Sequence, residues 1–313
     1  MKNKKVIVVI GATGLQGSGL VNAILADPDG EFKVRSITRD PDSEKARALA
    51  AQGVEVVKGD IGDLQSLQRA FQGAYGAFVV SFFWHHADAK RDLQEIENMA
   101  LAAKHAKLQH VIYSTLEDSR EFYLRNGETF EAGQYRAAHL DVKGEGDRFF
   151  KDYSVPTTYL LTTFYWDNFL NQGVRPTRVN GVARINFPMA DKKLVGIASE
   201  DIGKSAYGIF KNGKTFINKR VGISGEHLTG AEYAQKLSAA LGEQITYAPP
   251  TLEEFRGYNV PFGEDVANSF QFMIDFDKEF AEIRDVELTR LINPELKSFN
   301  QWLAQNKHLI QID

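Results

Sequence analysis

The sequence predicts an α/β fold, a Rossmann-type doubly wound parallel sheet with a smaller C-terminal α/β region. Apolar strand segments alternate with amphipathic helices through the first half of the chain, which is the pattern of parallel strands joined by right-handed crossovers. The earliest strand runs straight into a glycine-rich turn that opens a helix. The alternation degrades beyond residue 161, so we expect a Rossmann domain at 1–161 and a partly interleaved second region at 162–313.

The composition is that of an ordinary soluble protein, with 313 residues, 43% hydrophobic side chains and a net charge of −4. The chain contains no cysteine, which excludes disulfides, thiolate catalysis and cysteine-based zinc sites. The negative charge and the lack of a basic block argue against direct binding of nucleic acid. No apolar segment is long enough to span a membrane. We therefore expect a cytoplasmic protein, with the nucleus also open in a eukaryote.

The first strand ends in a turn in which Gly11, Gly14 and Gly17 stand at intervals of three. Glycines let the backbone come close to a ligand, and a helix N-terminus offers unpaired N–H groups with a partial positive charge. The turn is therefore suited to a pyrophosphate group. A glycine-rich turn that binds nothing is the alternative.

The second strand, predicted at 33–38, is followed at once by Arg39. In a doubly wound sheet this strand end faces the adenosine ribose, where an arginine favours a 2′-phosphate and so NADP over NAD. Asp40 and Asp42 make the surroundings less positive. The alternative is a solvated loop arginine.

The third strand, predicted at 54–58, ends in Gly59-Asp60-Ile61. The Asp60 carboxylate could meet an adenine amino group while Ile61 packs on the ring. Asp60 and Asp63 also precede an amphipathic stretch, so the capping of a helix is an alternative that can hold at the same time.

The fourth strand, predicted at 74–80, runs into Ser81 and a cluster of rings from Phe82 to His86. Bulky rings at the carboxyl end of a central strand suit the wall of a cofactor or substrate site, although core packing is the alternative. His85 and His86 predict no metal site, because adjacent side chains point apart and no matching ligands are evident.

After a fifth strand at 110–115, residues 116–133 are polar with weak periodicity and are predicted to be a loop. The next helix is predicted at 135–153. Tyr135, His139 and Lys143 are spaced by four in it, so the sequence predicts that they share one helix face.

The C-terminal part mixes short strands, predicted at 182–186, 221–223 and 245–248, with helices. Thr229 and Glu232 have the spacing of a capping box. A helix at 263–276 carries an apolar stripe that we interpret as core, and a final helix is predicted at 294–310.

Taken together, these segments resemble the short-chain dehydrogenase superfamily. Reductases of that class pair a catalytic tyrosine with a lysine four residues later, which binds the nicotinamide ribose and lowers the pKa of the tyrosine. His139 stands at the tyrosine position here, whereas Lys143 is kept. The resemblance therefore implies retained cofactor binding without the usual proton donor and no robust dehydrogenase activity. Tyr135 is a less favoured candidate for the phenol that would donate the proton.

More specifically, the chain is similar over nearly its whole length to the atypical NmrA-like family of that superfamily. The matching segments are 8–17, 53–60, 138–145, 155–156, 165–168, 265–268, 293–294 and 301–303. The resemblance implies NADP(H) as cofactor, with NAD(H) less favoured. Asp42-Ser43 stands where the family often has a second basic residue, and this departure weakens the preference for NADP(H) over NAD(H). The implied cofactor contacts are Gly11, Thr13, Gly14, Leu15, Gln16, Arg39, Asp60, Ile61, Ser81, Phe82, Phe83, Lys143, Tyr165, Trp166, Asp167 and Asn168.

Two functions remain open at this point. The resemblance implies an NADP(H)-binding regulatory protein that senses redox state and acts through a protein partner, such as a transcription factor or a metabolic enzyme, with a homodimer also open. The alternative is an NAD(P)H-dependent oxidoreductase acting on quinones or activated alkenes, for which hydride transfer needs no tyrosine acid. A third interpretation, direct DNA binding, is disfavoured by the negative charge.

Overall fold

The structure is a computed structural model that describes residues 4–171, 174–258 and 261–313. The strands of the described residues are β1 Lys5–Ile10, β2 Phe32–Thr38, β3 Glu55–Lys58, β4 Gly76–Val79, β5 His110–Thr115, β6 Thr157–Leu161, β7 Phe164–Tyr165, β8 Thr177–Val179, β9 Val182–Ile185, β10 Lys193–Ile197, β11 Arg220–Gly222, β12 Glu226–Thr229 and β13 Ile245–Tyr247. The helices are α1 Leu15–Leu25, α2 Glu44–Ala51, α3 Leu64–Phe71, α4 Ala89–His105, α5 Ser119–Arg125, α6 Ala138–Asp152, α7 Ser199–Lys211, α8 Gly230–Leu241, α9 Leu252–Arg256, α10 Gly263–Asp275, α11 Asp277–Ile283, α12 Val286–Ile292 and α13 Phe299–Asn306.

The chain forms two compact units that interleave along the sequence. The first unit comprises Met1–Asp118, Ala138–Thr162 and Glu200–Val221, and the second comprises Ser119–Ala137, Thr163–Ser199 and Gly222–Asp313. The two units are not separated by a single boundary at residue 161. Ser119–Ala137 lies before that residue and belongs to the second unit, and Glu200–Val221 lies after it and belongs to the first. None of the helices in the described ranges is long and apolar enough to cross a membrane.

The first unit is built on a seven-stranded sheet in the order β11-β6-β5-β4-β1-β2-β3. Strands β1 to β6 all pair in parallel. The order runs outward from β1 to β3 on one side and from β4 to β6 on the other. The direction in which successive strands are added to the sheet therefore reverses between β1 and β4. In open sheets of this kind, ligands bind beyond the carboxyl ends of the strands at such a switch point. The predicted doubly wound sheet is therefore confirmed.

The buried strands of this sheet explain why its elements form. The side chains of Ile7, Val8 and Val9 in β1 and of Val111 and Ile112 in β5 are fully buried. Strands covered on both faces are continuous apolar runs rather than alternating ones. Strand β5 has the bounds that the sequence predicts, 110–115.

The short strand predicted at 221–223 is β11, which joins the edge of this sheet beside β6. One prediction is wrong. The stretch at 116–133 is not all loop, because it contains α5. Phe122 and Tyr123 of α5 are buried and pack edge-on against Phe272 and Phe276. Packing against residues far along the chain stabilises this helix, and no local periodicity reveals it.

The second unit contains two three-stranded sheets, in the orders β12-β10-β7 and β13-β9-β8, around an aromatic core. Trp302 stacks on Phe299, with ring centroids 5.7 Å apart and an interplanar angle of 10°. The predicted capping box of Thr229 and Glu232 is confirmed at the start of α8. The predicted core stripe of α10 is confirmed as well, since Phe270 is buried in this core and Val266, Met273 and Ile274 pack against it.

One buried histidine in the first unit predicts a pH dependence of stability. His110 is fully buried in β5, with Nε2 2.8 Å from Thr158 Oγ1 and its ring against Phe210. Burial lowers the pKa of His110 to about 4. Because the unfolded chain binds this proton near pH 6.5, it gains protons first as pH falls. The contribution of His110 to the free energy of unfolding should therefore drop by about 2 kcal/mol between pH 6.5 and pH 5.

Urea unfolding between pH 5 and 7.5 checks this, with His110→Asn as the variant that removes the titrating group. The free energy of unfolding should change less steeply with pH in His110→Asn than in the wild type. His308→Asn is the matched control, because His308 is exposed and its removal should leave the slope unchanged. The same pH dependence of the free energy of unfolding in the wild type and His110→Asn would contradict the attribution of this dependence to His110.

Candidate functional site

The turn after β1 forms a backbone cradle at the switch point of the sheet. Gly11 adopts a positive φ of 70°, and Gly14 N–H donates to the Gly11 carbonyl at 2.8 Å. Gly14 is the N-cap of α1 and offers no side-chain cap, so the N–H groups of the first helical turn have no side-chain acceptor. The first turn of α1 also has no acidic residue. An uncapped helix N-terminus of this kind fits an anionic group such as a pyrophosphate.

Gly17 fixes how closely the helix can approach this turn. A Cβ added at Gly17 would lie 2.3 Å from the carbonyl oxygen of Gly11. No side chain fits at that distance, so only glycine lets α1 start directly above the strand end. Thr13, Gly14 and Leu15 are exposed along the cradle, whereas Gln16 is partly buried.

Arg39 is exposed at the first position after β2, as the sequence predicts. The carboxylate of Asp40 is engaged in its own loop, where Oδ1 accepts the N–H of Asp42 at 3.0 Å. The N–H of Asp40 in turn donates to Thr38 Oγ1 at 3.2 Å. Neither bond involves the Arg39 guanidinium, and a weakening of the positive charge there by Asp40 and Asp42 stays a prediction.

The end of β3 carries an exposed carboxylate held in a tight turn. Asp60 Oδ1 accepts the N–H of Gly62 at 2.9 Å, and Asp63 is the residue that caps α3. The Nδ2 amide of Asn98 on α4 donates to the Ile61 carbonyl at 3.0 Å and so fixes this turn from the neighbouring helix. The capping interpretation therefore holds for Asp63, while Asp60 shapes the turn and keeps an exposed oxygen.

The rings after β4 divide between the site and the core. The ring of Phe82 lies 3.1 Å from the position of an added Cβ at Gly11 and stacks on His85, with centroids 5.2 Å apart. Phe83 is buried. Trp84 is 40% exposed and its ring lies 4.5 Å from that of His139. Phe82 thus borders the glycine cradle, and Trp84 with His139 forms an accessible aromatic pair.

The side chain of Lys143, a residue of α6, is held by Ser81 just after β4. Its Nζ donates to Ser81 O at 3.0 Å and to Ser81 Oγ at 2.7 Å. The hydroxyl of Ser81 donates in turn to Asp92 Oδ2 on α4 at 2.8 Å. Burial lowers the pKa of Lys143, and the attraction of Asp92 opposes that shift. Burial raises the pKa of Asp92, and Lys143 and the Ser81 hydroxyl oppose it.

Asp92 was not predicted from the sequence. The signal that could have found it is its position on α4, four and seven residues before Ile96 and Met99, both of which are fully buried. A carboxylate in the buried stripe of a helix needs partners. Ser81 and Lys143 supply them.

Tyr135 does not share a helix face with His139 and Lys143, contrary to the prediction. Helix α6 starts at Ala138, so only His139 and Lys143 lie in it. Tyr135 belongs to the second unit, where the Arg120 guanidinium lies 4.7 Å from the centre of its ring.

A further phenol of the first unit, Tyr113, is fully buried in β5. Its hydroxyl donates to the Lys143 carbonyl at 3.1 Å, and burial raises its pKa well above the ordinary value. Tyr113 therefore anchors α6 on the sheet and is not suited to donate a proton to a ligand.

The remaining predicted contacts, Tyr165 to Asn168, lie in the second unit. Trp166 is fully buried in the core of that unit, and its indole N–H donates to the Tyr233 hydroxyl at 3.1 Å. Asp167 Oδ2 accepts the N–H of Ser199 at 2.9 Å. The Trp166 side chain is structural, and a cofactor contact by these residues stays a prediction.

A second grouping that the sequence analysis missed surrounds His86. Its Nε2 lies 3.4 Å from Glu95 Oε2 and 3.6 Å from Asp92 Oδ1, and the three groups could in principle hold a cation. However, the N–H of Asp88 donates to Nδ1 of His86 at 3.0 Å. A histidine ring that accepts at Nδ1 carries its proton on Nε2 when it is neutral. In that tautomer Nε2, which makes no hydrogen bond among the described residues, has no lone pair to offer a cation.

A doubly wound sheet with a glycine cradle at its switch point defines a protein of the Rossmann class. The sequence model of the NmrA-like family matches residues 3–303, and the chain belongs to that family.

Comparison with individual proteins agrees with this membership. The chain is 29% identical over 285 residues to the NmrA-like family domain-containing oxidoreductase lnbB of Aspergillus flavus, covering 85% of this chain and 82% of that protein. The structure superposes on NmrA, a negative transcriptional regulator solved in complex with NADP, with a TM-score of 0.77 and 21% identity over 96% and 95% of the two chains. It superposes on the Citrobacter triphenylmethane reductase complexed with NADP(H) with a TM-score of 0.75 and 23% identity over 96% and 99%.

Proposed function

We propose that this protein binds NADP(H) on its first unit and acts as a regulatory redox sensor that a protein partner reads. The observation that carries the proposal is a selective loss. The glycine cradle, Arg39 and the Ser81-bound Lys143 are all in place, while His139 stands where a proton-donating tyrosine would be. NmrA and the Citrobacter reductase, which share the fold, were solved with NADP or NADP(H) bound.

Each part of the dinucleotide has a group in the first unit that suits it. The uncapped N-terminus of α1 suits the pyrophosphate, and Arg39 suits a 2′-phosphate. The exposed oxygen of Asp60 and the side chain of Ile61 suit the adenine. Lys143 has one ammonium proton left beyond the two that Ser81 takes, and this proton suits the nicotinamide ribose.

A sensor needs more than binding. A ligand shifts a conformational or oligomeric equilibrium only by its differential affinity for the states involved. The proposal therefore requires that NADPH and NADP⁺ bind with different affinities or stabilise different states, and that the partner distinguishes those states.

Calorimetric titration with NADPH, NADP⁺ and NAD⁺, beside turnover assays on quinones, aldehydes and activated alkenes, tests the proposal. Tight NADP(H) binding with no turnover supports the sensor. Rapid NADPH oxidation with any of these acceptors overturns it, and the absence of binding to all three nucleotides overturns the cofactor assignment itself.

A second candidate function is an NADPH-dependent reductase of quinones or activated alkenes. The accessible pair of Trp84 and His139 favours it, because two rings 4.5 Å apart at the site provide a wall for a flat acceptor. The name of the relative lnbB, an oxidoreductase, also supports it. In this case Trp84→Ala should raise the KM for a quinone without changing the affinity for NADPH.

Lys143 provides a prediction that both functions share. Lys143→Ala should weaken the binding of NADP⁺ and NAD⁺ by similar factors, about tenfold each, because the ribose that it serves is common to both and hydrogen bonds to charged groups are strong. Calorimetry with the two nucleotides measures this. Lys151→Ala is the control, since Lys151 is exposed near the end of the same helix and its loss should change neither affinity. A selective loss of NADP⁺ binding alone would place Lys143 at the 2′-phosphate instead.

A further inference from the structure

We infer that Asp92 is a positioning residue that acts through Ser81 to keep Lys143 protonated and aimed at the nucleotide. The inference rests on the proposed function, because it gives Lys143 the nicotinamide ribose as its partner. Nothing in the family resemblance assigns a role to Asp92.

The geometry joins the three residues in one directed chain of hydrogen bonds. The Lys143 ammonium donates to Ser81 Oγ at 2.7 Å, and this hydroxyl donates its own proton to Asp92 Oδ2 at 2.8 Å. The first distance is that of a charge-assisted N–H···O bond, and the second is that of an ordinary O–H···O bond. The hydroxyl accepts from an ammonium and donates to a carboxylate, so the chain is strongest with Lys143 positive and Asp92 negative. Asp92 is fully buried, and a buried carboxylate without such partners would be costly.

The other oxygen of Asp92, Oδ1, makes no hydrogen bond among the described residues. His86 Nε2 lies 3.6 Å from it and 3.4 Å from Glu95 Oε2, and it makes no hydrogen bond either. Arg91 Nε donates to Glu95 Oε1 at 3.0 Å and so balances the charge of Glu95. Among the neighbouring charges, that of Lys143 lowers the pKa of Asp92 most, and that of His86 contributes less.

The other groups near Lys143 in the first unit do not replace Asp92 as the partner of its ammonium group. Tyr113 on β5 donates its hydroxyl to the Lys143 backbone carbonyl and not to Nζ. Asp147, one turn along α6, accepts from Thr115 Oγ1 at 2.8 Å and lies 3.4 Å from the Arg220 guanidinium. His139, one turn earlier on α6, packs against Trp84.

The sign of the expected effect follows from these charges. Burial lowers the pKa of Lys143, and the carboxylate of Asp92 opposes that shift. Neutralising Asp92 removes the opposing effect, so Lys143 should lose its proton at a lower pH than in the wild type. A neutral amine binds the ribose and the nearby anionic groups of the nucleotide less well than an ammonium does. Affinity for NADPH should therefore decline at a lower pH.

The test measures the dissociation constant of NADPH between pH 6 and pH 9.5 for the wild type and Asp92→Asn. Asparagine keeps the size of the side chain and an oxygen for Ser81 to donate to. We expect nearly equal or tighter binding at pH 6, where Lys143 stays charged, and about tenfold weaker binding at the pH that lies one unit above the shifted pKa. Glu97→Gln is the matched control, because this carboxylate of the same helix bonds to Tyr153 and not to the Lys143 chain. Its pH profile should match the wild type.

Two further measurements separate this role from a merely structural one. Ser81→Ala breaks the link between Lys143 and Asp92 and should shift the profile in the same direction, which keeps the test available if Asp92→Asn does not fold. In the Lys143→Ala background, Asp92→Asn should have no further effect on affinity. A loss of affinity that is equal at every pH, or that persists without Lys143, overturns the inference while leaving NADP(H) binding intact. Failure of the wild type to bind NADPH would instead overturn the proposed function.

Discussion

Replacing Gly17 with alanine is expected to abolish measurable NADPH binding and to lower the free energy of unfolding by about 3 kcal/mol, the upper end of what overpacking costs. The added Cβ would lie 2.3 Å from the Gly11 carbonyl oxygen and 2.7 Å from its carbonyl carbon. These are backbone atoms, so no side chain can swing aside to relieve the clash. Either α1 lifts off the strand or Gly11 moves, and both changes dismantle the cradle.

Gly17→Ala should affect both stability and binding through the same clash with Gly11. Urea unfolding measures the change in the free energy of unfolding, and calorimetry measures the affinity for NADPH. Ser18→Ala, one residue further along α1, is the matched control, since Ser18 makes only a 3.5 Å contact from its hydroxyl to the Leu15 carbonyl. It should change stability by less than about 0.5 kcal/mol. Normal NADPH affinity in a folded Gly17→Ala protein would show that the dinucleotide does not depend on this turn.

The features that could be predicted from the sequence are those that neighbouring residues determine. The strand–turn–helix at Gly11–Gly17 is visible because three glycines and a run of β-branched residues lie within a dozen positions. The parallel strands β1 and β4 are visible because they are almost wholly apolar, as burial on both faces demands. The capping box at Thr229 is visible because its two partners stand three residues apart.

The features that were missed depend on residues far apart in the chain. Helix α5 is stabilised by Phe122 and Tyr123, which pack against residues about 150 positions away. A short strand at 221–223 is predicted, but the place of β11 beside β6 in the seven-stranded sheet depends on pairing that no local pattern shows. Asp92 becomes significant only when Ser81 and Lys143 are brought to it from two other elements. Conversely, a spacing of four places Tyr135 on the face of His139 only if the helix extends that far, and it does not.

Arg39→Ala is expected to weaken NADPH binding 10- to 100-fold and to leave NADH binding nearly unchanged, because a guanidinium can form charge-assisted hydrogen bonds with a 2′-phosphate that NADH lacks. The local structure supports this selectivity. Arg39 is exposed at the carboxyl end of β2, and Asp40 is turned towards the N–H of Asp42. The guanidinium therefore keeps its charge available to a ligand.

The comparison of two nucleotides within one variant separates recognition of the phosphate from damage to the fold. Lys33→Ala provides a matched control, since Lys33 is an exposed cation of the same strand, six residues before Arg39 and near its opposite end. It removes the same charge and should leave both affinities intact. Arg39→Lys should retain part of the preference for NADPH, because it keeps the charge and loses the paired geometry of the guanidinium. Equal losses for NADPH and NADH in Arg39→Ala would mean that Arg39 serves the shared part of the dinucleotide, and the preference for NADP(H) would then have to come from another residue.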